Sequence, residues 1–160
     1  MLTDYFRARD GATAAVVDGP DWSGPLFPPE GTEPFDGVEA KWIDPYVVFP
    51  QLVAFVLDVP FDLDLVEPIW VWSPEEEMGA NGSPGSVVVQ FGDDVRDALA
   101  GVSSERIPEL ADRWARIEEF SWSSDGHGDV DYLSAVVRGL VGLSQRAQAA
   151  GEHLYCWWCV

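Results

Sequence analysis

The chain closes on the stretch His153-Leu154-Tyr155-Cys156-Trp157-Trp158-Cys159-Val160, which holds both cysteines and two of the eight tryptophans. Gly151 stands two residues before it, and a glycine in that position is a typical end of a helix. The stretch is rich in aromatic residues, which prefer β-strands. It therefore predicts a buried strand that completes a sheet.

The same stretch contains a CxxC pair preceded by a histidine, which suggests a metal or redox site. On a helix, His153, Cys156 and Cys159 would share one face and could bind zinc. On a strand, the two cysteines point to opposite faces with Cα atoms about 10 Å apart, beyond the roughly 7 Å limit of a disulfide. We predict two reduced cysteines and no metal or cofactor. A site formed by these residues with His127 remains the alternative.

The pattern of helices and strands predicts one α+β domain over residues 1–160, with several helices packed against a small mixed sheet. Its longest helix is expected over Val130–Ala150, begun by an Asp129 or Asp131 cap and followed by the terminal strand. The apolar face of this helix comprises Leu133, Val136, Val137, Leu140 and Val141.

The amino-terminal half predicts a strand over Leu2–Ala8, then a short helix capped by Asp10. Asp44-Pro45 is expected to begin a helix that reaches about Leu57, with Pro50 kinking it or delaying its start.

Strands are predicted over 65–72 and 86–91, paired as a hairpin. Two further helices are predicted, one beginning at Asp93 or Asp94 and one at Ser103 or Ser104.

Two long loops interrupt these elements, over 19–37 and 73–85. The first contains five prolines and cannot be regular structure. Its aromatic residues Trp22, Phe27 and Phe35 predict a segment that packs across the surface. The second begins with acidic residues and ends rich in glycine, asparagine and serine.

Charge restricts the class of partner. The net charge is −19, and residues 1–94 contribute 18 acidic residues against 3 basic ones. Such a chain repels nucleic acid and anionic membrane, and attracts basic proteins. The first residues lack the basic and apolar regions typical of a signal peptide, and no apolar run is long enough to span a bilayer. We therefore expect a cytoplasmic protein; its oligomeric state is open.

Catalytic motifs give little support to an enzyme. The sequence has no GxSxG, GxGxxG, P-loop or HExxH motif. Residues 125–131 place possible ligands at alternate positions, as a calcium loop does, but the required glycine and glutamate are Val130 and Val136. The sequence favours a non-catalytic protein without excluding an enzyme.

The tryptophans divide into two groups. Trp42, Trp114, Trp157 and Trp158 fall in predicted elements and are expected in the core. The others lie in or beside loops, where aromatic residues surrounded by acid can anchor a basic partner. The predicted binding residues are Trp22, Trp70, Trp72, Glu75, Glu76, Glu77 and Trp122.

These observations predict an interaction protein that binds a basic partner, as an immunity or regulatory protein does. One alternative is a small metal-binding enzyme or sensor that uses the carboxy-terminal histidine and cysteines. A second alternative is a DNA mimic, which would require regularly spaced carboxylates on an extended face.

Four stretches, at residues 35–41, 51–55, 113–116 and 151–157, resemble an uncharacterised family of small acidic actinobacterial proteins. The resemblance covers most of the chain and implies no activity. More loosely, the order of elements is similar to that of YfbM-like proteins of unknown function, which also end with a long helix and a short strand.

Overall fold

The computed structural model describes residues 1–18, 22–71, 86–121 and 128–159, and places a five-stranded sheet at the centre of the protein. Its order is β2-β1-β5-β4-β3, and every neighbouring pair is antiparallel. The strands are β1 (Leu2–Ala8), β2 (Gly37–Glu39), β3 (Ile69–Trp70), β4 (Ser86–Gln90) and β5 (His153–Cys159). The α+β class is confirmed, and the sheet is antiparallel throughout rather than mixed.

Six α-helices accompany the sheet within the described residues. They are α1 (Gly11–Ala14), α2 (Val48–Leu57), α3 (Asp93–Ala100), α4 (Ile107–Trp114), α5 (Glu118–Ser121) and α6 (Val130–Ala150). Short 3₁₀ turns follow α1 at Ala15–Asp18 and precede α4 at Ser104–Arg106. No helix in the described part of the chain is long and apolar enough to cross a membrane.

The stretch predicted as a buried strand forms β5, which is the central strand of the sheet. It pairs over its whole length with β1, from Leu2↔Cys159 to Ala8↔His153, and with β4 on its other side. Because both faces of β5 are covered, its sequence is a continuous apolar run rather than an alternating one.

Each face of the sheet has its own hydrophobic cluster. The larger one, the helix-face cluster, lies between the sheet and the helices and contains Leu154, Cys156 and the apolar residues of α6. The smaller one, the strap-face cluster, contains Phe6, Val88, Tyr155 and Trp157. Cys156 belongs to the first and Cys159 packs against the second, which confirms that the cysteines point to opposite faces.

An irregular segment, residues 22–36, covers part of the strap-face cluster; we call it the strap. Trp22 and Phe35 pack against that cluster, and the Phe35 ring meets Phe6 edge-on at 5.1 Å. Phe27 stays mostly exposed. The expectation of a loop that crosses the surface on aromatic anchors therefore holds for Trp22 and Phe35 and not for Phe27.

Local signals placed most helix ends correctly. The Asp10 carboxylate accepts a bond from the Thr13 amide (2.8 Å), and the Asp129 carboxylate accepts one from the Tyr132 amide (2.9 Å). Gly151 ends α6 in the left-handed conformation, at φ 66°. Such caps satisfy amides and carbonyls that a helix end leaves unpaired.

The start of α2 is delayed, as Pro50 suggested. Asp44 accepts bonds from the amides of Tyr46, Val47 and Val48, but the chain forms turns until Val48. Pro50 therefore lies in the first turn of the helix, where its missing N–H leaves no bond unmade.

Three expectations were wrong in detail. The strand predicted over 65–72 has only Ile69–Trp70 as strand in its described part, because Leu65 forms a turn and Val66 inserts into the core. β2 and α5 were not predicted. Trp42, expected in the core, is 43% exposed, whereas Trp114 and Trp157 are buried and Trp158 is partly buried.

Candidate functional site

A segment of exposed apolar residues begins at the last residue of α2. Residues 57–64, Leu-Asp-Val-Pro-Phe-Asp-Leu-Asp, are all exposed. We call this segment the apolar–acidic stretch. Its apolar members alternate with aspartates or proline and are between 39% and 65% exposed: Leu57, Val59, Phe61 and Leu63. Exposed apolar residues gathered in one place, unlike scattered ones, indicate an interaction site.

The beginning of this stretch is held firmly by the end of α2. Asp58 is left-handed, at φ 54°, and its amide bonds to the carbonyls of Ala54 and Phe55. The Val59 amide also donates to the Ala54 carbonyl (3.1 Å). These bonds close the helix and direct the following residues away from it.

Two arginines from the neighbouring helix region reinforce this end. Arg106 donates to the carbonyls of Val56 (3.2 Å) and Phe55 (3.3 Å). Arg113 donates to the Asp58 carboxylate (3.1 Å), and its guanidinium lies 4.6 Å from the centre of the Phe55 ring. The Asp58 charge is therefore compensated. Asp62 and Asp64, further along the stretch, are not involved in these contacts.

The far end of the stretch returns to the core. The Asp62 carboxylate accepts a bond from the Asp64 amide (2.9 Å), and the Asp62 carbonyl accepts one from Leu65 (3.1 Å). Leu65 packs against the helix-face cluster and Val66 is buried in it. The stretch is thus fixed at both ends, which lowers the entropy lost when a partner binds.

An acidic cleft adjoins the stretch. It has a volume of about 270 Å³ and begins at Asp64, the last residue of the stretch. Three carboxyl-bearing residues and no basic residue line it, together with apolar side chains and one glycine: Asp64, Leu65, Val66, Glu67, Gly92, Asp94 and Val95. A cationic side chain is the group that such a lining favours.

The structure describes only some of the predicted binding residues. Trp70 lies on β3 beside Ile69, and both are exposed. Trp22 is half-buried against Phe35, with ring centroids 6.0 Å apart. The remaining predicted residues, Trp72, Glu75, Glu76, Glu77 and Trp122, lie outside the described residues.

The residues of the alternative metal site do not converge where the structure shows them. Cys156 is fully buried on the helix face, where burial raises the pKa of its thiol well above the usual value. Cys159 lies on the opposite face, and His153 Nδ1 is 2.7 Å from Asp93 Oδ1. Across residues 1–18, 22–71, 86–121 and 128–159, no three His, Cys, Asp or Glu side chains form a metal-binding group. His127 lies outside these ranges.

A buried carboxyl group is the most perturbed acid of the strap face. Asp4 is 4% exposed and lies cross-strand from Glu39 on one side and Trp157 on the other. Burial, and then the neighbouring Glu39 carboxylate, raise the pKa of Asp4 to about 6, while Lys41 lowers it. Gly24 of the strap covers it so closely that a Cβ there would lie 3.0 Å from Asp4 Oδ2.

A second carboxylate, at the end of the strap, lies beside basic side chains rather than beside another acid. Asp36 receives two bonds from Arg146 (2.7 and 2.8 Å) and one from Arg7 (2.7 Å). These guanidinium groups lower the pKa of Asp36 to about 2. Arg7 also pairs with Glu152, so this cluster joins β1, the strap, α6 and the turn before β5. We interpret it as a structural clamp.

No protein-family model, curated protein or solved structure matches the chain. The likeness to small acidic actinobacterial proteins therefore stays a prediction.

Sequence reasoning missed the apolar–acidic stretch. It lies between the helix expected to reach about Leu57 and the strand predicted over 65–72, and no binding residue was predicted within it. The alternation of apolar and acidic residues in the stretch is also typical of a half-buried strand, so only the three-dimensional structure shows that its apolar side chains are exposed.

Proposed function

We propose that the protein is a non-catalytic interaction protein that binds a basic protein through the apolar–acidic stretch. The observation that carries this proposal is the exposure of all eight residues of 57–64, with four large apolar side chains among them. Inhibition or regulation of a basic protein is the activity that this surface best supports.

The apolar side chains supply the affinity in this proposal. Phe61 and Leu63 would be covered by the partner, and burial of apolar area is the main favourable contribution to most protein association. A rigid aromatic residue beside aliphatic ones is a common centre of an interface.

The carboxylates determine which kind of partner binds. The acidic residues that follow or alternate with these apolar side chains are Asp62, Asp64 and Glu67. Asp64 and Glu67 line the acidic cleft, and so does Asp94. The charge of −19 would accelerate the approach of a basic protein and disfavour an acidic one. Binding should therefore weaken as salt is added, because salt screens exposed charges.

The test uses affinity selection from a lysate of the source cells with three forms of the protein. Wild type and the control V16A/F27A, which removes two exposed apolar side chains elsewhere, should retain the same basic protein. The variant F61A/L63A, which has the same charge and leaves the core untouched, should lose at least tenfold in affinity for it.

Two results would contradict the proposal. One is that no basic protein is retained in a salt-sensitive manner. The other is that F61A/L63A retains it as well as wild type does, which would place the interface elsewhere.

A further inference from the structure

The strap, residues 22–36, lies directly on a buried carboxyl group. Asp4 is 4% exposed, and Gly24 of the strap is buried above it at φ 122°. A Cβ on Gly24 would lie 3.0 Å from Asp4 Oδ2 and 3.3 Å from Trp157 Cζ3. Only glycine adopts such a φ at little cost and leaves room for so close an approach. The strap backbone therefore covers both the Asp4 carboxyl group and the Trp157 ring.

The other neighbours of Asp4 do not favour its ionised form. The charged groups of the described structure that act on it are Glu39, directly across on β2, and Lys41, whose ammonium group pairs with Glu39 at 3.1 Å. The residues that face it from β5 and from the strap, Trp157 and Gly24, do not titrate. Burial, and then the Glu39 carboxylate, raise the pKa of Asp4 to about 6, so the closed strap favours the protonated group.

The strap is bonded to the rest of the protein at one end. Among the described residues, all hydrogen bonds between the strap and the rest of the chain involve Asp36. Its carboxylate accepts from the guanidinium groups of Arg7 and Arg146, and its carbonyl accepts from the Arg7 amide (3.1 Å). This clamp fixes the strap where it enters β2.

Closer to Gly24, the strap bonds to itself. The Phe27 amide donates to the Gly24 carbonyl (3.1 Å), and the Phe35 amide donates to the Pro25 carbonyl (2.9 Å). Contact with the sheet is made by apolar groups, among them Trp22 and Phe35. The part of the strap over Asp4 can therefore move away from the sheet while its own hydrogen bonds stay intact.

The sheet below Asp4 has no such freedom. β1 is paired with β2 on one side and with β5 on the other. An ionised carboxylate out of contact with water is costly unless it is paired. Movement of the strap is the change that lets water reach Asp4 without breaking the sheet.

We propose that the strap is a proton-controlled lid, closed over Asp4 and Trp157 while Asp4 is protonated and opening about Asp36 when Asp4 is ionised. The pKa of Asp36 is lowered to about 2 by its arginine partners, so the clamp holds over the whole range in which Asp4 titrates. Opening exposes the Trp157 ring, on a surface separate from the apolar–acidic stretch. The lid does not depend on the proposed function.

The sign and size of the effect follow from the two states of Asp4. A group whose pKa is higher in the closed state stabilises that state at low pH, and the stabilisation is lost as the pH rises through 6. With a pKa of about 6 when covered and the ordinary 3.8 when exposed, opening should be about tenfold more frequent at pH 7.5 than at pH 5.

The test places a thiol under the lid. Pro25 is buried next to Gly24, so the thiol of P25C, in a C159S background, should react with 4,4′-dithiodipyridine only when the strap opens. Each rate is divided by the rate for the same protein unfolded in urea at the same pH, which removes the effect of pH on the thiol itself. We expect the normalised rate to rise about tenfold from pH 5 to pH 7.5.

Two matched controls accompany this measurement. D4N, added to the same variant, has the same shape but cannot ionise, and its normalised rate should change by less than about twofold. Cys156, fully buried on the helix face, reports unfolding of the whole protein and should react much more slowly than the introduced thiol.

Three results would each overturn the proposal. They are a normalised rate that does not rise with pH, an equal rise in the D4N form, and reaction of Cys156 as fast as that of the introduced thiol. If P25C lacks the circular dichroism spectrum of the folded protein, L26C, at the next and half-buried position of the strap, provides the same test with the same expected rates.

Discussion

The two faces of the central sheet are covered in different ways. Among the described residues, the helix-face cluster contains thirty buried residues from three strands, five helices and the turns between them, and its largest members, such as Trp114 and Leu140, are almost completely enclosed. The strap-face cluster contains seven such residues, covered partly by an irregular segment. Since apolar burial is the dominant favourable contribution to folding, stability resides mainly in the helix face.

The two faces of the sheet also differ in the ionisable groups that they bury. On the strap face, the Asp4 carboxyl group is buried beside another acid. Between pH 4 and 7.5 the strap face should therefore be the part of the core that responds to pH, while the Cys156 thiol of the helix face stays protonated there.

The largest effect should come from removing the strand that both faces share. A chain that ends after Glu152 lacks β5, and β1 and β4 would lose their common neighbour. We expect the truncated chain to be unfolded, because the folding free energy lost with β5 exceeds the total stability of about 5–15 kcal/mol that small domains have. Circular dichroism that still shows a cooperative thermal transition would contradict the central position of β5.

The second effect is a pH dependence that comes from Asp4. Its pKa rises from the ordinary 3.8 to about 6 on folding. The protonated form is therefore favoured by folding, and the stabilisation is present below pH 4 and lost as the pH rises through 6. The loss amounts to at most about 3 kcal/mol.

D4N, which remains uncharged, should remove this pH dependence and be more stable than wild type at pH 7. D36N is the matched control. The pKa of Asp36 is lowered to about 2, so the ionised Asp36 carboxylate stabilises the folded protein above pH 4. D36N removes this stabilisation and should therefore make the protein less stable at pH 7. Thermal unfolding between pH 4 and 7.5 measures both. A D4N variant that is less stable than wild type at pH 7 would show that the ionised carboxylate is stabilising.

The third effect is the difference in stability lost when a valine is truncated on one face of β4 or on the other. Val88 and Val89 are neighbours on β4, are both at most 2% exposed, and point to the strap face and the helix face respectively. We expect V89A to cost about 2–3 kcal/mol and V88A about 1 kcal/mol, because a loosely covered site collapses more easily around a cavity. Urea unfolding gives both values. Equal costs would show that the strap packs as tightly as the helices do.

The smallest effect is that of salt. At a net charge of −19, repulsion between carboxylates destabilises the folded state, and sodium chloride screens it. We expect the melting temperature to rise by a few degrees, about 1 kcal/mol, between 10 and 150 mM salt. A melting temperature that falls steadily would mean that ion pairs such as Arg146–Asp36 outweigh the net repulsion.

The sequence predicted the elements that local chemistry determines. Asp129 and Gly151 mark the two ends of α6, and the aromatic run after Gly151 marks β5; each signal depends on a few neighbouring residues. β2 was missed because Gly37–Glu39 becomes a strand only through its pairing with Asp4, Tyr5 and Phe6, more than thirty residues away.

The candidate site was less predictable for a physical reason. The alternation in 57–64 suits a half-buried strand as well as an exposed segment, and only the exposure of its side chains separates the two. Trp42 was assigned to the core because it was counted among the tryptophans that fall in predicted elements. The turn that places it at the surface depends on bonds to Thr3, Tyr5 and Tyr132, which sequence spacing does not reveal.

Amide hydrogen exchange, measured with and without the basic protein retained in the lysate experiment, tests the binding surface most directly. The account predicts that the partner slows exchange in peptides covering 59–67 and leaves the strap, residues 22–36, unchanged. Protection confined to the strap or to α6 would contradict it.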